Sequence, residues 1–94
     1  MRIFKSTDDE KHLYFMIDEL EGEDVFSEVE KKLYEEQDIT LRDKERTIYE
    51  IVLKGIWEKQ EFELSFDMDF GNTSIYSESI ECLNHLEKIL NDEW

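Results

Sequence analysis

Asp67, Asp69 and Glu78 stand at the first, third and twelfth positions of the stretch DMDFGNTSIYSE. Carboxylates at that spacing supply oxygen ligands to calcium in a helix-loop-helix site. The other positions disagree with such a site. Gly71 and Asn72 occupy the fifth and sixth places, the reverse of the order the loop requires, and Ile75 takes the ninth. The residues before the stretch alternate as a strand, where a calcium loop needs a helix. A hairpin with outward acids fits the pattern better. Cys82 and His85 lie three apart, which on a helix would make half of a metal site or a Cys-His nucleophile pair. There is no second cysteine, and His12 is the only other histidine. Cys82 therefore reads as a small buried or half-buried side chain and His85 as a surface or boundary residue.

Acid/base chemistry would need two carboxylates in unequal surroundings. Glu61, Glu63 and Asp67 share one side of an alternating segment, and Glu58 is expected opposite Glu61. Covered by a helix, such a row would contain a carboxyl of raised pKa. Left open, it is the solvated side of a sheet. Nothing in the sequence supplies a pocket or a positioning group for glycoside chemistry. A glycine-rich phosphate loop, a Ser-His-Asp spacing and a cluster of metal ligands are all missing from the pattern. The chain is expected not to be an enzyme, and no cofactor is implied.

The segment that must position these residues is TIYEIVLKGIWEKQEFELSFDMDFGNTSIYS, residues 47–77. Phe62, Leu64, Phe66 and Met68 alternate with Glu61, Glu63, Ser65 and Asp67, and Tyr49, Ile51, Leu53 and Trp57 keep the same period of two. This predicts a three-stranded antiparallel meander. A turn at Lys59-Gln60, or a four-residue loop from Glu58 to Glu61, would set Trp57 opposite Phe62, Leu53 opposite Phe66 and Ile51 opposite Met68. Gly55 falls where an inward side chain belongs, which suggests a bulge or the close approach of a helix. Gly71-Asn72 predicts a second turn that places Ile75 opposite Met68.

Around the meander, residues 2–5 read as a short strand. Thr7 and Glu10 have the spacing of a capping box, and Thr7-Asp8-Asp9-Glu10 reads equally as a turn. HLYFMIDEL fits both periods: a strand paired with residues 2–6, or a helix on Leu13, Met16, Ile17 and Leu20. The aromatic density favours the strand. A helix follows over residues 25–37, capped by Asp24, with Val25 or Phe26, Val29 and Leu33 as its stripe. Residues 38–46 predict an irregular edge strand or a loop. Its Arg42, Lys44 and Arg46 alternate with acids and read as a solvated segment. A last helix, capped by Ser77 or Ser79, carries Ile80, Leu83, Leu86 and Leu90, with Ile89 beside them and Trp94 one turn on. The expectation is a single α+β domain over residues 1–94, in the order ββαβββα, with two helices on an antiparallel sheet of four or five strands.

Twenty-six acids against 11 bases leave a net charge of −15 on 94 residues. Residues 7–30 hold ten acids and one base, residues 61–94 nine and one, and residues 31–60 seven of each. Such a field repels nucleic acid and anionic membrane and attracts basic proteins. The longest apolar run, Leu13 to Ile17, is far short of a membrane span. The N-terminal MRIFKST lacks the apolar core of a signal peptide, and a lone cysteine allows no intrachain disulfide, so a cytoplasmic protein is expected.

One feature of the meander resists a purely structural account. Ile48, Val52 and Ile56 point the same way as Glu50, Lys54 and Glu58. The helix over residues 25–37 could cover that diagonal. Left uncovered, it would be a recognition surface. The function expected is a small acidic protein-binding module, in the manner of an immunity protein or antitoxin that inhibits a basic, nuclease-like partner. Its partner-binding residues would be Ile48, Glu50, Val52, Ile56, Glu58, Glu61, Glu63 and Asp67. The alternatives are a structural protein that forms a homodimer through the same face or an edge strand, and a small metal protein or enzyme at Asp67, Asp69 and Glu78 or at Cys82 and His85.

Overall fold

The computed structural model describes residues 2–6 and 9–92. They form the strands β1 (Arg2–Ser6), β2 (Asp9–Met16), β3 (Ile39–Arg46), β4 (Glu50–Trp57), β5 (Gln60–Asp67) and β6 (Asn72–Tyr76), with the helices α1 (Glu23–Tyr34) and α2 (Ile80–Asp92). All six strands join one antiparallel sheet in the order β1-β2-β6-β5-β4-β3. The fold is α+β as expected, with six strands in place of four or five. The extra strand is β3, and the chain order is ββαββββα. The ambiguous segment is strand β2, which buries Leu13 and Phe15 and pairs with both β1 and β6. The proposed capping box includes Thr7, which lies outside the described residues, and Glu10 sits within β2.

One apolar core joins the sheet to both helices. Leu13, Phe15, Ile51, Leu53, Trp57, Phe62, Leu64, Phe66 and Ile75 face α1 through Val25, Phe26, Val29 and Leu33, and α2 through Cys82, Leu83, Leu86 and Leu90. Both helices therefore pack on the same sheet face. The α1 stripe is the expected one, but the helix begins two residues early. Gly22, at φ 59°, turns the chain into it without a side-chain cap, so Asp24 lies within the first turn and not at the cap. In α2, Ser79 is the cap: its Oγ accepts from the Cys82 N–H at 3.1 Å. Ser77 braces it by accepting from the Ser79 N–H and donating to the Glu61 carbonyl at 2.7 Å. Ile80 is 52% exposed, and Cys82 takes the core place expected of it. Trp94 lies outside the described residues.

The meander keeps its expected faces but not its expected register. Gly55 pairs with Phe62, Leu53 with Leu64, Ile51 with Phe66 and Trp57 with Gln60. The turn is Glu58-Lys59, with both residues at positive φ, 47° and 65°. That is the backbone of a two-residue hairpin whose twist matches its strands. Gly55 explains the offset. A Cβ there would fall 2.2 Å from the tip of the Phe62 ring, so the ring lies over the glycine. The bulge or helix contact expected at Gly55 is thus a cross-strand aromatic cover. The second turn spans residues 68–71, since Asp67 pairs with Asn72 and Leu64 with Ile75. Asp67 Oδ1 accepts from the Asp69 and Phe70 N–H groups at 2.8 and 3.2 Å, and Gly71, at φ 68°, donates to the Asp67 carbonyl. Ile75 does not meet Met68 because this side-chain-braced turn is longer than a Gly71-Asn72 turn.

β3 is an edge strand with a bulge. Arg42 pairs with Lys54, but Glu45 pairs with Val52, so one extra residue is accommodated, with Asp43 at φ 56°. The bulge reverses the side on which the following residues point. Lys44 reaches Glu30 of α1 at 3.0 Å, and Arg46 reaches Glu23 at 2.6 Å. Two bases of the expected cluster therefore pin α1 to the sheet edge, and Arg42 stays on the other side.

Replacing Gly55 with alanine forces the Phe62 ring aside in a filled core. Gly55→Ala is expected to lower the unfolding free energy by about 1–3 kcal/mol, read from the urea midpoint. The Thr73 hydroxyl is buried without a hydrogen-bond partner. Thr73→Val removes that unsatisfied group and is expected to raise stability by about 1 kcal/mol in the same assay.

Candidate functional site

Because α1 and α2 share one face, no helix among the described residues covers the other. The covering of Ile48, Val52 and Ile56 by the helix over residues 25–37 is not what the chain does: α1 packs into the core cluster that holds Ile51, Leu53 and Phe62 on the other face. The outer face is built of cross-strand rows. One runs Arg42–Lys54–Glu63–Tyr76–His12. The next runs Glu45–Val52–Ser65–Ser74–Tyr14–Phe4, with the Ser65 and Ser74 hydroxyls 3.3 Å apart. Thr40, Ile56 and Glu61 form a third, and Glu50, Asp67 and Asn72 a fourth.

The residues expected to bind a partner are dispersed over this face. Val52 and Ile56 are half-buried on it, and Glu50, Glu61, Glu63 and Asp67 flank them. Ile48 is not on a strand: it stands 81% exposed in the β3–β4 connection, at the end of the sheet where Glu50 and Asp67 pair. Glu58 is in the hairpin turn at the other end, so it does not oppose Glu61. Ile56 does, and Glu63 faces Lys54. The acidic pair that does form is Glu50 with Asp67, and its cost is relieved because Asp67 binds the turn amides. Asp67 and Glu78 lie beyond opposite ends of β6, so the calcium-loop spacing does not gather its ligands. Among the described residues no group of three or more His, Cys, Asp or Glu side chains is placed to hold a metal ion.

Cys82 and His85 also diverge. Cys82 is fully buried, and burial pushes its thiol above the ordinary value of 9.0 despite a hydrogen bond with Ser77. His85 stacks on Trp57, with ring centroids 4.1 Å apart and planes within 10°. Asp38 joins them: its Oδ2 accepts from Trp57 Nε1 at 3.0 Å and lies 3.4 Å from His85 Nε2, out of line for a hydrogen bond. This cluster ties the start of β3 to the end of β4 and to α2.

Alternation had exposed the acids and the apolar diagonal, but not the aromatic half of the face. His12 stacks on Tyr14 at 5.7 Å and tilts against Tyr76 at 5.1 Å. Phe4 and Met16, 44% and 46% exposed, extend the group toward β1. The signal was present in the sequence, since Tyr14 and Tyr76 occupy the outward phase of their strands. At Tyr14 it was masked because Leu13 and Phe15 on either side make a continuous hydrophobic run, and at Tyr76 because the strand is short and ends there. At the edge of the face, Glu78 accepts from the Tyr76 hydroxyl and pairs with Lys11 at 2.8 Å. Lys11 and Tyr76 together hold the Glu78 carboxyl below its ordinary value, and Glu78 raises both of theirs.

The exposed connections add further apolar groups at one end of the sheet. Tyr49 beside Ile48 is 66% exposed, and Phe70 in the β5–β6 turn is 80% exposed. The two connections are joined by the Met68 N–H, which donates to the Tyr49 carbonyl at 2.9 Å. No protein-family model, curated protein or solved structure matches this chain. No helix among the described residues is long and apolar enough to cross a membrane.

A buried thiol of raised pKa is largely protonated at neutral pH and shielded from reagent. Cys82 is expected to react with a disulfide reagent at pH 7 at the rate of protein opening, and at once in denaturant. Immediate reaction in the native protein would restore Cys82 and His85 as a candidate reactive pair.

Proposed function

We propose that the protein is a binding module that takes a basic protein partner on the outer sheet face, in the manner of an immunity protein or antitoxin. The observation that carries this reading is the open face itself: half-buried Val52 and Ile56 bordered by Glu50, Glu61, Glu63 and Asp67, with no helix among the described residues over them. A sheet that spends both its helices on one side leaves the other for solvent or for a partner. Purely solvated faces do not carry Phe4, Tyr14, Met16, Val52 and Ile56 together.

The division of labour follows from the chemistry. The net charge of −15 draws a cationic protein in from a distance and raises the encounter rate. Tyr14, Tyr76 and the aliphatic residues then give up water on contact and slow release. Carboxylates on this face would occupy the positions that phosphates take on a nuclease-like partner, so inhibition is by occlusion. The acids act as fixed charges in this reading and no bond is made or broken. A cytoplasmic location goes with it, because the free thiol of Cys82 suits a reducing compartment.

Immobilised wild-type protein is expected to retain a basic protein from its source lysate at low salt and release it at high salt. Glu61→Gln/Glu63→Gln, checked for unchanged folding by circular dichroism, is expected to retain markedly less of the same protein. Retention of no basic protein at low salt, or equal retention by the variant, would count against this function.

A further inference from the structure

At the end of the outer face near the Glu58-Lys59 turn, an open groove of about 450 Å³ is lined by Arg42, Lys54 and Lys59 together with Asp43, Glu61, Glu63 and Glu78, and Ile56 also lines it. Lys54 faces Glu63 across the strands and Ile56 faces Glu61. The cations are the anomaly. Arg42 and Lys54 are directly opposed on neighbouring strands, a like-charge pairing that costs stability. Among the described residues, neither Lys54 nor Lys59 has a carboxylate within ion-pair distance, and Arg42 has only its chain neighbour Asp43, at 3.8 Å. The β3 bulge sharpens the contrast. It sends Lys44 and Arg46 to carboxylates of α1 and leaves Arg42 beside Lys54 on the outer side.

A surface built only to repel anions or attract cations would place acids here. We infer that this groove receives an acidic side chain of an otherwise basic partner segment, on Arg42, Lys54 and Lys59, while a neighbouring basic side chain of the same segment meets Glu61, Glu63 and Glu78. The inference rests on the binding reading above and adds the partner's chemistry at this site: a cation and an anion close together, with an apolar group over Ile56. The carboxylates of the groove alone would accept any cationic segment. Its cations reject segments that are basic throughout and so select among basic proteins.

The sign of one substitution separates the two ideas. If only the overall field mattered, removing a positive charge from the groove would strengthen binding of a basic segment. With an acidic side chain seated there, the same change weakens it. The test selects peptides from a random twelve-residue display library on the wild-type protein and on Arg42→Gln/Lys54→Gln, whose exposed positions leave the core untouched. Wild type is expected to enrich peptides that combine Lys or Arg with one Asp or Glu. The variant is expected to keep the bases and lose the acid. Affinity of the best peptide is expected to fall about fivefold on Lys54→Gln, and by about the same on Glu or Asp→Gln (or Asn) in the peptide. The two changes together should cost no more than either alone, as for a directly contacting exposed pair. Enrichment of basic peptides without an acid, or tighter binding by Lys54→Gln, would overturn this inference and leave the basic-partner reading standing. Enrichment of no basic peptide by either protein would overturn both.

Discussion

The Phe62 ring lying over Gly55 governs the rest of the sheet. At any other register the ring would meet a side chain in place of a hydrogen, and the core has no room for both. That contact sets β4 against β5 and requires a two-residue turn, which Glu58 and Lys59 provide in a strained left-handed backbone. Two residues without glycine in that conformation show that packing inside outweighs local preference at the turn. The same contact reaches the other face. With Gly55 opposite Phe62, Lys54 must face Glu63, and Ile56 must face Glu61. The arrangement of charge outside is a consequence of volume inside.

Both helices lie against the inner face, so the hydrophobic core is complete on one side of the sheet and the outer face is free to differ. Charge follows the same partition. The exposed ion pairs that link β3 to α1 contribute little individually in high dielectric, but they give two of the few bases a use on the helix side. Arg46 holds Glu23 below the ordinary carboxyl value through their hydrogen bond. A carboxyl lowered in the folded state stabilises the fold above its unfolded pKa and loses that contribution as pH falls through the folded value, so this tether weakens in acid.

Much of the fold was legible in the sequence, because alternation and helical stripes report which side of an element is buried. Ile51, Leu53, Phe62, Leu64 and Phe66 read correctly as inward, as did Val29, Leu33, Leu86 and Leu90. Register was not legible. A slip of two residues moves Trp57 from Phe62 to Gln60 yet keeps every side chain on its face, so the pattern cannot tell the two apart. The bulge in β3 was equally hidden, since DKER alternates in charge and offers no apolar residue to mark the change of side. Whether a helix lay over Val52 and Ile56 depends on which way the chain crosses the sheet after β2, and nothing local to either element encodes that choice. At the candidate site the acids were visible and the aromatic partners were not, because Tyr14 lies inside a continuous apolar run and Tyr76 at the end of a five-residue strand.

The irregular edges have a consequence for the protein in bulk. An open sheet exposing Phe4, Met16 and Val52 would be prone to stack edge to edge into extended assemblies if its outer strands were straight. β3 is kinked at Asp43 and crowded with charge, and β1 loses its regular pairing between Phe4 and Ser6 while carrying Arg2 and Lys5. Neither strand offers a long flat template for another copy. The rims thus work against edge-to-edge pairing even where the outer face carries exposed apolar groups.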